Sequence, residues 1–317
     1  MSAAETLRSL LANDELDLPL PGSGATARRW RTLAALGRRD TVLGRLAEAH
    51  ADAVAILAEL DGPQVTPDQV WGVWAAEAPS PVLTAAHTGQ GWRLSGVKPW
   101  CSGASTSTHA LLTAHVGALR PLFAVDLGQP GVAPVPGTWH AVGMGASDSG
   151  SVAFDDVAAV QVGPDEGYLT RPGFWHGAIG VAAAWHGGAC GVADALFARV
   201  EKGGADAHQQ AHLGAVSAAL AGARWSLDSA AAEVDADPLD STGHGRARAL
   251  AVRAVVEAAA TVTLDRVGRA LGAGPLCADA VHAARVADLT VYLRQSHAER
   301  DLAALGVAVA GGAGELW

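Results

Sequence analysis

The run Gly91-Trp92-Arg93-Leu94-Ser95-Gly96-Val97-Lys98-Pro99-Trp100-Cys101-Ser102-Gly103 carries residue types suited to holding a flat heteroaromatic ring. Trp100 offers a wide indole for packing. Ser102 offers a hydroxyl for the ring edge, and Gly103 lacks the side chain that would collide with it. The plain alternative is a hairpin whose Trp100 fills a core. Near the other end of the chain, His297 follows the hydroxyl of Ser296 and brings an imidazole that exchanges protons near neutral pH. Its plain alternative is a surface histidine ahead of the solvated run Ala298-Glu299-Arg300-Asp301. Gly272 and Gly274 can let backbone amides approach a phosphate, or can simply end a helix before Pro275. Trp175-His176 and Trp185-His186 form a second aromatic and imidazole cluster, expected to serve packing or a subunit contact.

Periodicity supplies the elements that must position these residues. Trp92 and Leu94 alternate with Arg93 and Ser95, which predicts a strand, a tight turn at Gly96 and a second strand from Val97. Residues 63–165, rich in Val, Thr, Gly and Pro with closely spaced turn signals, predict a small β-barrel-like domain. Before it come a short apolar piece, Leu7 to Leu11, a Pro/Gly/Ser connector, Leu18 to Gly24, and a helix from Thr26 to Gly37. A second helix runs from Asp40, its N-cap, to Leu60, with His50 on its apolar face as a core residue.

From residue 172 the chain reads as helical. Phe174 to Val200 is one Ala/Gly-rich helix. In the next, Leu213, Leu220, Leu227 and Val234 recur every seven residues with Val216, Ala223 and Ala230 between them, the seam of a bundle helix. Asp237-Pro238 breaks that helix, Arg246 to Leu271 forms another, and residues 279–304 are expected as a last one. The chain is thus α+β: a short helical domain (1–62), a central β-domain (63–165) and a C-terminal four-helix bundle (166–317). The bundle is expected to form a homodimer or homotetramer, and the Gly311-Gly312-Ala313-Gly314 tail to be mobile.

The composition excludes several classes. A chain of 317 residues holds one to three domains and a sizeable core. Net charge is −10 with no basic run, against a nucleic-acid partner or an anionic membrane surface. No apolar run is long enough to span a membrane and no signal peptide is apparent, so a cytoplasmic protein is expected. Cys101, Cys190 and Cys277 are too scattered for a disulfide framework or a zinc motif, and no metal site is expected.

Three blocks in order resemble the acyl-CoA dehydrogenase family. "GQGWRLSGVKPWCSGA", Gly89 to Ala104, is similar to the family's "dGyrlnGxKxWiTnG". Gly143 to Val157 is similar to "GmrgsdTxxvxFddV", and Leu122 to Asp126 with Pro130 to Val132 is similar to "flVd…pGv". The resemblance spans roughly residues 30–306. It implies FAD, with Trp100, Ser102 and Gly103 near the flavin, and oxidation of the CH–CH group of an acyl thioester. It also places Gly272 and Gly274 on the family's "GGxGy" turn, which meets the FAD of a partner subunit.

The chain departs from that pattern in several places. In the stretch Val73 to Pro79 it keeps Glu77 of "alTEpxaGSD", but Ala76 stands for the Thr and "GSD" is absent. Glu201-Lys202-Gly203-Gly204 lacks the arginine of "RxqFG", and the N-terminal helical domain is short. Ser296 falls on the family's catalytic glutamate, with His297 next to it, and the only acid between Phe174 and Arg199, on the first bundle helix, is Asp194. An unactivated hydroxyl is far too weak a base near neutral pH, so His297 is the expected proton-handling group. Two alternatives stand beside a dehydrogenase. One is a flavin-dependent monooxygenase of the same architecture using His297. The other is a non-catalytic subunit of a heteromeric acyl-CoA dehydrogenase, acting with a catalytic partner subunit.

Overall fold

Apolar residues that alternate between Trp71 and Val162 form strands, and those that recur every three or four residues form helices, in the computed structural model, which describes residues 1–80 and 82–312. Ala313 and Gly314 of the expected mobile tail lie outside the described residues. The chain makes two compact units. One comprises Met1–Leu18, Leu46–Ala141 and Gly145–Phe174; the other comprises Pro19–Arg45, Val142–Met144 and the chain from Trp175.

The first unit is built on β1 (Trp71–Trp74), β2 (Leu83–Thr88), β3 (Gly91–Lys98), β4 (His109–Thr113), β5 (Leu122–Asp126), β6 (Val132–Val135) and β7 (Ser151–Val162). They form one sheet in the order β1-β4-β5-β7-β3-β2, with β6 also on β7 and only the β1–β4 pair parallel. The β2 edge returns to the chain just past β4. Ala85 N–H donates to the His115 carbonyl (2.9 Å) and His115 N–H to the Leu83 carbonyl (2.9 Å), which closes β4-β5-β7-β3-β2 into a small barrel. Its interior holds Trp74, Leu94, Cys101, Leu112, Phe123 and Phe154, all buried.

Gly96 does not make the turn expected of it. β3 is a single strand, and Gly96, at φ +122°, sits at a register shift against β7. A side chain there would meet the Val82 carbonyl, so the glycine makes a bulge that bends the strand around the barrel. The hairpin turn lies earlier, between β2 and β3 at Gly89-Gln90.

Helices complete this unit. α1 (Ala3–Ala12) begins with a Ser2/Glu5 capping box. The later turns of α3 (Thr41–Glu59) carry His50, which is buried and accepts the Trp71 N–H at Nδ1 (3.2 Å). After the short α4 (Gly167–Thr170), the buried Arg171 donates to Glu59 (2.7 Å) and lies over the Tyr168 ring.

The second unit holds α2 (Thr26–Arg39) and the bundle helices α5 (Gly173–Glu201), α6 (Ala207–Ala236) and α7 (Gly245–Leu271). The short α8 (Gly274–Ala278), then α9 (Ala280–Tyr292) and α10 (Glu299–Ala310), follow. Asp40 caps the start of α3 by accepting the Leu43 N–H (2.8 Å). On α6 the buried seam is Val216, Ala223, Leu227, Ala230, Ala231 and Val234, whereas Leu213 and Leu220 are only half-buried. The small residues of the repeat, rather than its first leucines, face the bundle.

α2 crosses α5 at glycine contacts. A Cβ at Gly187 would strike the Ala34 carbonyl, and one at Gly37 the Ala184 carbonyl. Because backbone atoms cannot yield as side-chain tips do, Gly187→Ala is expected to cost about 1–3 kcal/mol by overpacking. Urea denaturation of the variant measures it.

The helix expected over 279–304 is two. α9 ends in a 3-10 turn at Leu293–Gln295, Ala298 adopts φ +47°, and α10 starts at Glu299. Side chains take over the backbone hydrogen bonds at this break. His297 N–H donates to Asp301 Oδ2 (3.1 Å) and Ala298 N–H to Ser296 Oγ (3.1 Å).

Asp288 of α9 accepts the Met144 N–H. Burial pushes its carboxyl above the ordinary value, against the pull of that hydrogen bond. A raised folded-state pKa makes the group's contribution most favourable below the unfolded value of about 3.9 and progressively lost as pH rises through the folded one. Asp288→Asn keeps an acceptor for Met144 without the charge. Its melting temperature relative to the parent is therefore expected to be higher at pH 7 than at pH 4. No described helix is long and apolar enough to cross a membrane.

Candidate functional site

Past β3 the chain swings through Pro99 to Gly103, and its residues part company. Trp100 sits at φ +58°, a left-handed conformation costly for a non-glycine residue, and the residue is 51% exposed. The residues after it are drawn inward by the loop before β7. Cys101 N–H donates to the Gly150 carbonyl (2.8 Å), Gly103 N–H to the Ser147 carbonyl (2.8 Å) and Ala104 N–H to the Asp148 carbonyl (3.1 Å). The strained backbone is what lets one residue point out while its neighbours are pulled in.

Ser102 is buried, and its hydroxyl joins a chain to Ser149 Oγ (2.8 Å) and on to Ser147 Oγ (2.8 Å). Its carbonyl accepts the Trp74 indole N–H (3.0 Å). Gly103 is also buried; a side chain there would crowd Ser107 Oγ, and at φ +73° the glycine serves the loop. Of the three residues expected to share one ring-binding face, only Trp100 is displayed, while Ser102 and Gly103 fix the loop that displays it. Burial pushes the Cys101 thiol well up, so that it stays protonated and unreactive.

Beside this loop, Glu77 gathers three donors and an imidazole. It accepts from Thr113 Oγ1 (2.7 Å), Lys98 Nζ (3.2 Å) and Arg120 Nε (3.3 Å), with His115 Nε2 also at 3.3 Å. Lys98 Nζ further donates to the Thr113 carbonyl and hydroxyl (2.9 Å each). Burial pushes Lys98 below the ordinary lysine value despite Glu77. At Glu77 burial pushes upward, but the Thr113 hydroxyl and the Lys98 charge outweigh it and hold the carboxyl low. The outcomes differ because the Lys98 side chain is 4% exposed and that of Glu77 38%. A shallow hollow lined by Ala76, Glu77, Leu83, Lys98, Pro99 and His115 opens here.

In the second unit, Gly272 caps α7 at φ +66° and Gly274 opens α8; both are exposed, with open space above them. The Gln209 side chain at the start of α6 donates to the Ala270 carbonyl (3.1 Å), tying that helix end to the glycine turn. Arg199 folds back onto the Gly203 and Gly204 carbonyls (3.0 Å each), within the stretch that lacks the family's arginine.

Ser296 and His297 occupy the break between α9 and α10. The His297 side chain is 57% exposed and its Nδ1 lies 3.2 Å from Asp301 Oδ1. Ser296 Oγ donates to Glu257 Oε2 of α7 (2.7 Å), and Arg294 reaches Glu257 Oε1 (3.3 Å). Asp301 lies one helical turn beyond His297 in the sequence and could have been paired with it there. Glu257 is brought in by the fold from a separate helix, and nothing in the sequence links it to Ser296. Three residues of the second aromatic and imidazole cluster are packed inside the bundle. Trp185 is buried between Tyr292 and the Arg253 guanidinium, His176 is buried, and His186 Nε2 bonds the Leu220 carbonyl (3.1 Å).

In the first unit, Trp100 is the residue that could hold a flat ring such as a flavin's, since an indole this exposed on so constrained a backbone is a ready platform for it. The open glycines of the second unit suit a phosphate-bearing arm. Among the described residues, no group of three or more His, Cys, Asp or Glu is placed to hold a metal ion.

No protein-family model matches the chain, nor does any curated protein. Solved structures do. Methanesulfinate monooxygenase from Pseudomonas fluorescens is 19% identical, with a TM-score of 0.74 over 98% of this chain and 97% of its own. KijD3, solved with FMN and a dTDP-linked amino-keto sugar, is 19% identical at a TM-score of 0.79, over 98% and 87%. Glutaryl-coenzyme A dehydrogenase, solved with glutaryl-CoA, is 17% identical at 0.76, over 89% and 80%.

Proposed function

We propose, from the premise that this chain has the acyl-CoA dehydrogenase fold, that it is a flavin-dependent oxidoreductase acting on the CH–CH group of an acyl thioester. The observation that carries the reading is Trp100, held half exposed by left-handed backbone at the barrel edge. A bound flavin, FAD on the resemblance of the sequence blocks, supplies a two-electron acceptor. The chain's own residues do the rest. Trp100 packs on the ring, the Ser102-Ser149-Ser147 hydroxyl chain keeps its loop rigid, and the exposed Gly272 and Gly274 leave backbone accessible to a phosphate. A homodimer or homotetramer assembled through the bundle helices is part of this proposal.

A second reading, monooxygenation, is favoured by the His297–Asp301 pair, an imidazole supported by a carboxylate and open to solvent. The full-length match to methanesulfinate monooxygenase adds to it. Two assays separate these readings: reduction of an artificial electron acceptor with a panel of acyl-CoA thioesters, and oxygen uptake driven by reduced flavin. The first reading expects turnover in the acceptor assay, and oxygen uptake alone would give the second. Flavin binding without either activity would point to a non-catalytic subunit that works with a catalytic partner.

A further inference from the structure

The face of α7 that meets the α9–α10 break carries two charged residues one turn apart, Arg253 and Glu257. Arg253 donates to the Ala178 carbonyl (2.9 Å) and lies over the Trp185 ring (4.5 Å), which anchors this face against α5. Glu257 is only 18% exposed and receives the Ser296 hydroxyl at 2.7 Å. Ser296 Oγ in turn accepts the Ala298 N–H (3.1 Å), and Ala298 is held at φ +47°. The hydroxyl is therefore fixed: its proton points at a carboxylate, one acceptor site is filled by Ala298, and one remains. Strained backbone held in place this way is a feature of working sites.

We propose that Ser296 and Glu257 form a proton relay, with Glu257 the proton store that makes the serine a competent base. The inference rests on the acyl-thioester reading above. In the step, the α C–H bond of the thioester breaks and its proton joins Ser296 Oγ. At the same time the Ser296 O–H bond breaks and that proton joins Glu257 Oε2. The electron pair left on the α carbon delocalises into the thioester carbonyl, so charge moves from carboxylate to enolate with no co-reactant. A free serine hydroxyl cannot do this near neutral pH; one that gives up its own proton to a carboxylate can. Arg294 Nη2 takes the other carboxylate oxygen, Glu257 Oε1 (3.3 Å), which leaves Oε2 to the serine.

The test is hydrogen–deuterium exchange at the α carbon of acetyl-CoA, which has no β-hydrogen to lose, in D₂O with the flavin-loaded full chain. Glu257→Gln keeps an acceptor for Ser296 and hence the loop, but removes the base. It is expected to slow exchange roughly 10²–10⁴-fold, with an unchanged melting temperature and loss of the rise in rate with pH. Ser296→Ala should match it, and Glu257→Asp should recover part of the rate. An infrared difference spectrum of the Glu257 carboxylate, read as parent minus Glu257→Gln, adds a measurement without substrate. Ser296→Ala should shift its carboxylate stretch, because the hydroxyl that donates to Oε2 is lost. Exchange in the parent that Glu257→Gln leaves untouched, or a carboxylate stretch that Ser296→Ala does not move, overturns the relay alone. No exchange in the parent removes the acyl-thioester reading together with it.

Discussion

Lys98→Ala is expected to destabilise the barrel by about 2–4 kcal/mol. The ion pair with Glu77 is the smaller part of that cost, since a carboxylate 38% exposed is screened by solvent. The larger part comes from what the lysine leaves behind. The Thr113 carbonyl and hydroxyl lose a buried donor, and the space of a four-carbon stem opens beside the barrel core. Those bonds also join β3 to the end of β4, next to the seam where the barrel closes. Lys98→Met restores most of the volume without the charge, so it should recover a large share of the loss. Chemical denaturation of the three proteins decides it, and an alanine variant as stable as the parent would mean that the seam does not depend on this side chain.

Trp100→Ala is expected to weaken flavin binding by about 1–3 kcal/mol, a factor of roughly 5 to 150 in Kd, through lost stacking area. Because the residue is half exposed, removing its indole opens little of the core, and unfolding free energy should stay within about 1 kcal/mol of the parent. Trp100→Gly separates the two roles further. Glycine adopts φ +58° without strain, so this variant should be at least as stable as the alanine one and bind flavin no better. Equal flavin affinity in parent and variants would show that the indole does not face the ring.

The elements that position the site were largely legible in the sequence because each is announced locally. Asp40 before an apolar stripe announces α3, Asp237-Pro238 ends α6, and Gly272 ends α7. The three blocks that resemble the acyl-CoA dehydrogenase family pointed to the fold that the solved structures share. What was missed depends on contacts between distant residues. Gly96 reads locally as a turn, and only its pairing with β7 makes it a bulge. The helix expected over residues 279–304 breaks because Ser296 and Asp301 take over backbone hydrogen bonds that helical periodicity assigns to the helix. Ser102 reads as a ligand contact from its place after Trp100, yet Ser149, on a loop 47 residues away, claims its hydroxyl. Glu257 is hidden for the same reason, lying 39 residues from the serine it supports.

The central claim, that this chain holds a flavin through Trp100, is met most directly by titrating the purified chain with FAD and separately with FMN. Visible absorption and tryptophan fluorescence are followed together. Binding on the indole should perturb the flavin bands and quench fluorescence saturably, with FAD the tighter ligand and Trp100→Ala showing both effects much reduced. Spectra of both flavins that stay those of the free cofactor at concentrations well above micromolar, with no quenching, would contradict it.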